Sequence, residues 1–261
     1  MAFGLIIIGD EILSGKRNDK HFSKVVELLG ERGLQLAWTE IIGDDPLRIT
    51  ATLQRTMAGD DVVFCCGGIG ATPDDHTRQC AARALNLELA LHPEAKQLIQ
   101  ERITELLRAE GKAVDLNTPD HLHRLKMGEF PVGAAIIPNA FNRIPGFFIR
   151  NHYFVPGFPV MAEPMITWVL DTHYSHMFHQ QPRAEKSLLV FEVAESALTP
   201  LMEQLERDYP LIKVFSLPSV GDGRQRRHID LGVKGEPLQV DQAFAVLVQA
   251  LQAMQAEFVL N

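Results

Sequence analysis

The sequence predicts an α/β protein, with a three-layer parallel-sheet domain followed by a small α+β domain. Short runs such as residues 3–8 and 61–66 are continuously apolar, as strands covered on both faces are. Amphipathic segments such as residues 18–33 follow these runs, and such alternation favours a parallel sheet with right-handed crossovers. A polar, proline-containing stretch at 174–186 interrupts the pattern, which then restarts.

The first domain is assigned to residues 1–173. Asp45 and Pro46 have the residue types of an N-cap and a first helical position. Thr72 and Asp75 resemble a capping box, which predicts that a helix starts at Thr72. The predicted strands are 3–8, 34–42, 61–66, 134–137, 147–149 and 153–156, and the predicted helices are 18–33, 45–57, 72–85, 93–111, 119–127 and 159–172.

The second domain is assigned to residues 187–261, after a linker at 174–186. Its elements are expected in the order β, α, β, β, α, which is typical of a small α+β sandwich. The ranges are 187–193, 197–208, 211–216, 227–233 and 238–257. A basic cluster, Arg224, Arg226 and Arg227, precedes the third of these strands and is read as a solvated turn, with a phosphate contact as the alternative.

Composition narrows the functional classes. The net charge of -8 argues against binding a nucleic-acid backbone. No apolar run approaches the length of a membrane span, and the N-terminal run lacks the basic flank of a signal peptide. Three cysteines without a CxxC spacing suit a reducing compartment, so we expect a cytoplasmic protein with no membrane partner.

Glycines and carboxylates follow four of the predicted strands. In an open parallel sheet, ligands bind beyond the carboxyl ends of the strands, so these loops should converge there. Glycine-loop N–H groups suit phosphate oxygens, and carboxylates suit a divalent cation that bridges to phosphates. The candidates are Gly9, Asp10, Glu11, Asp44, Asp45, Gly67, Gly68, Gly70, Thr72, Asp74, Asp75, Pro156 and Gly157.

Simpler explanations stay open for single loops. Each glycine could serve only a tight turn, and Asp44 and Asp45 could be no more than helix caps. Two familiar fingerprints are absent. Residues 9–17 place Gly9 one position too early for a phosphate-binding P-loop and Arg17 where Ser or Thr is needed, and residues 68–73 lack the third glycine of a dinucleotide motif.

Five stretches carry a resemblance to a known family. They are GDEILSG (9–15), IIGDD (41–45), GGIGATPDDHT (67–77), IIPNAFNRIPGF (136–147) and VPGFPVM (155–161). Their order and residues resemble the N-terminal module of CinA, the competence/damage-inducible protein A, within the molybdopterin-binding superfamily. Residues 187–257 resemble, more weakly, the small domain that follows it. The resemblance implies a stand-alone form without the C-terminal amidase domain.

The resemblance also implies roles for individual residues. Asp75 and Asp44 align with two essential aspartates of the related adenylyltransferases, and Glu11 is a third catalytic candidate. The implied ligand contacts are Gly67, Gly68, Gly70, Thr72, Ser14, Asn139, Pro156 and Gly157. The implied ligands of a divalent cation (Mg, Mn or Co) are Asp75, Asp74, Asp44 and Asp10.

Three functions are compatible with these residues. The first is metal-dependent hydrolysis of a nucleotide diphosphate. The resemblance implies that the substrate is ADP-ribose and that the products are AMP and ribose 5-phosphate. The second is a molybdopterin- or nucleotide-binding protein related to molybdenum cofactor biosynthesis. The third is a non-catalytic nucleotide sensor. All three predict a small-molecule nucleotide or pterin partner, and we expect a homo-oligomer. The carboxylate-rich site favours catalysis over sensing, and the long insertion at 93–130, which resembles CinA more than the transferases, favours hydrolysis.

Overall fold

A computed structural model describes residues 1–180, 182–221 and 226–261. The chain divides into two units, Met1–Phe178 and His179–Asn261, and each unit has its own hydrophobic core. Among the described residues, no helix combines the length and the apolar character that a membrane crossing requires.

The first unit alternates strands and helices. Its strands are β1 (Phe3–Ile8), β2 (Leu36–Ile42), β3 (Val62–Cys66), β4 (Leu89–Leu91), β5 (Glu129–Pro131), β6 (Ala135–Ile137), β7 (Gly146–Ile149) and β8 (His152–Val155). Its helices are α1 (Asp10–Leu13), α2 (His21–Gly30), α3 (Pro46–Met57), α4 (Thr77–Ala84), α5 (Pro93–Ala109), α6 (Pro119–Leu125) and α7 (Pro159–His173). The short α1, β4 and β5 were not predicted.

The main sheet has the strand order β2-β1-β3-β8-β7-β6, and the first four strands are parallel. β7 is antiparallel to both of its neighbours, so the sheet is mixed. Only Arg150 and Asn151 connect β7 to β8, and so short a connection permits only an antiparallel hairpin. The predicted fold class is confirmed, with this antiparallel strand as an addition.

Helices cover both faces of the sheet. Ile7 and its neighbours on one face pack against α2 and α7, and Ile6 on the other face packs against α3 and α4. The adjacent Cys65 and Cys66 are buried on opposite faces, as strand geometry requires. The N-cap predicted for α3 is also confirmed, because the Asp45 carboxylate accepts the N–H of Leu47 at 2.9 Å.

The predicted start of α4 is wrong. The helix begins at Thr77 rather than after Thr72. Residues 72–75 form a separate turn in which the N–H of Asp75 donates to the carbonyl of Thr72 at 3.0 Å. The N–H of Thr77 donates to the carbonyl of Gly68 at 3.0 Å, so this contact fixes the helix start four residues later than a cap at Thr72 predicts.

The predicted linker 174–186 overlaps both units. Tyr174 is buried in the core of the first unit, and a short 3-10 helix at Ser175–Met177 follows it. The second unit contains β9 (Ala184–Phe191), α8 (Glu195–Asp208), β10 (Ile212–Ser219), β11 (His228–Gly235), α9 (Pro237–Ala253) and β12 (Phe258–Leu260). Its antiparallel sheet has the order β10-β11-β9-β12, and the short β12 was not predicted.

The basic cluster of the second unit is only partly described. Arg224 lies outside the described residues. Arg226 donates to both carboxylate oxygens of Glu257, at 2.7 and 2.9 Å, and its guanidinium lies over the ring of Phe191. A paired and stacked guanidinium favours a local structural role over a phosphate contact.

Candidate functional site

A cleft of about 400 Å³ lies at the carboxyl edge of the main sheet. The loops that follow β1, β2, β3 and β8 line it, as the parallel arrangement of these strands requires. The cleft brings together most of the residues selected from the sequence. They are Gly9, Glu11, Asp44, Gly67, Gly68, Gly70, Thr72, Asp74, Asp75, Asn139, Pro156 and Gly157.

The glycine loop after β3 is held against two neighbouring loops. The N–H of Gly67 donates to the carbonyl of Val155 at 3.0 Å. Gly67 has a φ of 112°, and a side chain there would collide with the carbonyl oxygen of Ile8. A Cβ atom on Gly157 would lie 3.4 Å from the Cα atom of Gly67. Position 67 therefore requires glycine where the strand ends meet, whereas a Cβ atom on Gly157 would make only an ordinary van der Waals contact.

Thr72 joins two carboxylates at the end of the glycine loop. Its hydroxyl oxygen lies 2.5 Å from Asp74 Oδ1 and 2.6 Å from Asp75 Oδ2, and its N–H donates to Asp75 Oδ2 at 2.8 Å. The hydroxyl hydrogen bond lowers the pKa of Asp74. A hydroxyl has one proton, so it donates to only one carboxylate at a time. The pair therefore has unused capacity to accept a proton or a cation.

Asp44 approaches the same cleft from the loop after β2. Partial burial raises the pKa of its carboxyl, and the charges of Asp10, Glu11 and Asp74 raise it further. A hydrogen bond from the N–H of Asp10 opposes this rise. A carboxylate whose charge is disfavoured by its surroundings is a candidate for accepting a proton or binding a cation.

Three candidate residues do not line the cleft. The carboxylate of Asp10 accepts the N–H of Asp44 at 3.2 Å, and that of Asp45 caps α3. Ser14 follows the C-terminal end of α1 and is exposed. Within the described residues, no three Asp, Glu, His or Cys side chains are arranged as a ready metal centre. A cation here would need oxygen ligands from a bound molecule as well.

Several lining residues were not selected from the sequence. Arg17 contributes a positive charge to the cleft. From the sequence, this residue was considered only as a departure from the P-loop motif. Asn139, which was selected from the sequence, is 5% exposed, and its amide group donates to Asn142 Oδ1 at 2.9 Å and to the carbonyl of Ile144 at 3.0 Å. The additional apolar and amide residues around the cleft are Met127, Asn142, Ile144, Pro145, Phe158 and Met161.

Arg78 is a buried side chain that holds the glycine loop through a hydrogen bond to its backbone. Its side chain is 2% exposed, and Nη2 donates to the carbonyl of Gly70 at 2.5 Å. Nη1 donates to the carbonyls of Lys126 and Glu129, which precede and begin β5. Burial lowers the pKa of the guanidinium, and Glu129 and Asp75 oppose this effect. One buried cation thus joins the loop to the segment that follows α6.

The family model described as "Probable molybdopterin binding domain" matches residues 4–176. The chain belongs to this family. The match includes every cleft residue named above, and it confirms the resemblance suggested by the sequence.

Within the molybdopterin-binding domain family, the chain is similar to CinA-like proteins. It is 29% identical over 237 residues to one from Syntrophotalea carbinolica, and the aligned region covers 85% of this chain and 55% of that protein. It is 30% identical over 249 residues to one from Anaeromyxobacter, and the aligned region covers 88% of this chain and 58% of that protein. The chain therefore spans about half the length of the curated relatives it matches.

A solved structure supports the fold assignment. The protein CinA of unknown function from Thermoplasma acidophilum superposes with a TM-score of 0.55 and 23% identity. The superposition covers 66% of this chain and 98% of that one. At this identity the comparison establishes the fold of the family domain alone.

Proposed function

We propose that the cleft binds the phosphate-bearing part of a small molecule, either a pterin or a nucleotide. One observation carries the proposal: a single cleft unites the glycine loop with the carboxylates of Glu11, Asp44, Asp74 and Asp75. Backbone N–H groups of such a loop suit phosphate oxygens. Membership in the molybdopterin-binding domain family supports a pterin as the ligand.

The carboxylates require a cation when an anion binds beside them. Asp74 and Asp75 share one hydroxyl proton, and this unused accepting capacity fits a divalent cation with hard oxygen ligands. Asp44 lines the cleft with them and is the third candidate ligand. The carboxylate of Asp10 is directed to the N–H of Asp44, so we assign it a supporting role instead. A bound cation would polarise the phosphates and cancel their repulsion from the carboxylates.

A second candidate function is hydrolysis of a nucleotide diphosphate, such as ADP-ribose. Water would add across the phosphorus–oxygen–phosphorus bridge and yield AMP and ribose 5-phosphate. In this function Asp44 acts as the general base and not as a cation ligand, and its raised pKa favours that role because a raised pKa improves the proton affinity of a base. Glu11 lines the same cleft and is the alternative base. Asp75 would position the phosphates and the cation.

Direct binding and turnover measurements test both functions. The protein is titrated by calorimetry with a molybdopterin precursor, ADP, ADP-ribose, NAD, FAD and coenzyme A, each with Mg²⁺, Mn²⁺ or Co²⁺. Products are identified by mass spectrometry after incubation. Binding without turnover supports the binding protein or the nucleotide sensor, and formation of AMP supports the hydrolase. Failure of every ligand to bind would exclude all of these functions.

The oligomeric state is a further proposal. We propose a homo-oligomer, which light scattering coupled to size-exclusion chromatography tests directly. A monomeric mass at micromolar concentration would contradict it.

A further inference from the structure

A second cavity of about 380 Å³ adjoins the cleft. It lies between α1, the start of α2 and the loop after β8, and it shares Glu11, Arg17 and Gly157 with the cleft. Asn18, Lys20 and His21 also line it. We call it the Lys20 cavity. The shared residues mean that a ligand on the glycine loop can extend into it past Arg17.

The two compartments differ in charge. Four carboxylates and one cation, Arg17, line the cleft. The Lys20 cavity instead has two cations, Arg17 and Lys20, against Glu11 and Asp19. Neither cation forms an ion pair with any residue that the structure describes. An anion in this cavity would therefore meet unpaired positive charge, whereas an anion in the cleft needs a metal.

The negative charge of Asp19 in the cavity is partly compensated by two backbone donors. Its two carboxylate oxygens accept the N–H groups of His21 and Phe22, each at 2.9 Å. The partial positive charges of these two N–H groups at the start of α2 offset part of the field of the carboxylate, which keeps its unit charge. The electrostatic potential in the cavity is consequently more positive than the count of two cations and two carboxylates indicates.

His21 adds a buried polar group. Its side chain is 7% exposed, and Nε2 donates to the carbonyl of Gly157 at 3.3 Å. This bond fixes the ring and leaves Nδ1 for another partner.

We propose that the Lys20 cavity is a phosphate subsite beside the diphosphate position. The ligand would place its diphosphate on the glycine loop and a phosphate monoester against Arg17, Lys20 and His21. The inference rests on the proposed function for the diphosphate position. The phosphate could belong to the same ligand or be a free ion, and the two sources share the same recognition chemistry.

Matched ligand pairs test the tethered source. Coenzyme A and dephospho-coenzyme A share a diphosphate and differ by one phosphate monoester, as do NADP and NAD. We expect the phosphorylated member of at least one pair to bind about tenfold more tightly by calorimetry. Lys20→Ala should abolish this preference. Lys24→Ala is the control, because Lys24 lies one turn further along α2 and pairs with Glu27 and Glu163.

A second titration tests the free ion. Inorganic phosphate is added to protein saturated with ADP, and we expect binding that weakens about tenfold in Lys20→Ala and persists in Lys24→Ala. Phosphate binding without a preference within either ligand pair supports the subsite with a free ion as its source. Displacement of ADP by phosphate, or a preference that survives in Lys20→Ala, overturns the inference.

The two proposals can fail separately. If ADP binds but neither pair shows a preference and phosphate does not bind, the subsite is wrong and the proposed function stands. If ADP, every other diphosphate and the molybdopterin precursor fail to bind while phosphate binds in a Lys20-dependent manner, the subsite stands and the proposed function is wrong.

Discussion

Asp10 and Asp44 hydrogen-bond each other reciprocally across 34 positions of sequence. The N–H of Asp10 donates to Asp44 Oδ2 at 2.8 Å, and the N–H of Asp44 donates to Asp10 Oδ1 at 3.2 Å. The two backbone donors hold two carboxylates together in spite of their mutual repulsion. The loops after β1 and β2 are thereby joined at the rim of the cleft.

Asp44→Asn should change how stability depends on pH. The pKa of Asp44 is raised in the folded state, so the folded protein retains this proton at pH values where the unfolded chain has lost it. The contribution to the free energy of unfolding is largest below the ordinary value of 3.8 and falls as pH rises through the raised pKa. The stability of Asp44→Asn relative to the parent should therefore increase with pH. Urea denaturation of the variant and the parent over this range measures it.

Asp75→Asn should abolish turnover if the hydrolase proposal is right. Asparagine preserves the shape and can still accept the N–H of Thr72, so the thermal melting temperature should be close to that of the parent. Loss of the charge should lower the rate about a hundredfold or more. ADP-ribose turnover with saturating Mn²⁺ is the measurement. Asp60→Asn, an exposed change outside the cleft, should retain activity, and an active Asp75→Asn would remove this residue from the mechanism.

Gly70→Ala should weaken ligand binding while preserving the fold. A Cβ atom on Gly70 would collide with the Asp75 carboxylate, which must then leave its hydrogen bond with Thr72. We expect a loss of affinity for ADP of about tenfold or more. Gly30→Ala at the end of α2 is the matched control, since nothing lies within 4 Å of its Cβ position. Equal affinities of the two variants would contradict the proposed position of the ligand.

Arg78→Met should destabilise the first unit. The substitution leaves the carbonyls of Gly70 and Lys126 without their buried donor, and each unsatisfied acceptor costs about 1–3 kcal/mol. The relief of burying a charge offsets part of this cost, so we expect the free energy of unfolding to fall by about 2–4 kcal/mol. Arg83→Met, on the exposed face of the same helix, should change it by less than about 0.5 kcal/mol. Chemical denaturation distinguishes the two variants.

His152 should contribute to acid sensitivity. Its side chain is 1% exposed and hydrogen-bonds Thr56 Oγ1 at 2.9 Å, and burial lowers its pKa from 6.5 to about 4. The neutral ring is favoured in the folded state. Its stabilising contribution is therefore complete above pH 6.5 and is lost as pH falls toward about 4.

The total effect of this titration is about 3 kcal/mol. His152→Gln removes the titration and should flatten the curve of unfolding free energy against pH between about 4 and 6.5, relative to the parent. His176→Gln, at an exposed position, should follow the parent. Parallel curves for the parent and His152→Gln would show that burial does not lower this pKa.

The sequence predicted the sheet and the convergence of its loops because strand–helix alternation leaves few topologies. It misplaced the start of α4 because a Thr-x-x-Asp pattern fits an isolated turn as well as a helix cap, and the contact of Thr77 with Gly68 decides between them. The three-residue β4 and β5 are too short to show a periodicity. Arg78 resembles a surface residue of an amphipathic helix, and it is buried only because residues 126–129 pack over it.

The bridge that Arg78 makes has a dynamic consequence. The glycine loop cannot separate from the Lys126–Glu129 segment without breaking hydrogen bonds between a buried guanidinium and three carbonyl groups. Amide hydrogens of the loop and of this segment should therefore exchange with solvent as one cooperative unit. A helical insertion that contributes only Met127 to the cleft would in this way set how often the cleft opens.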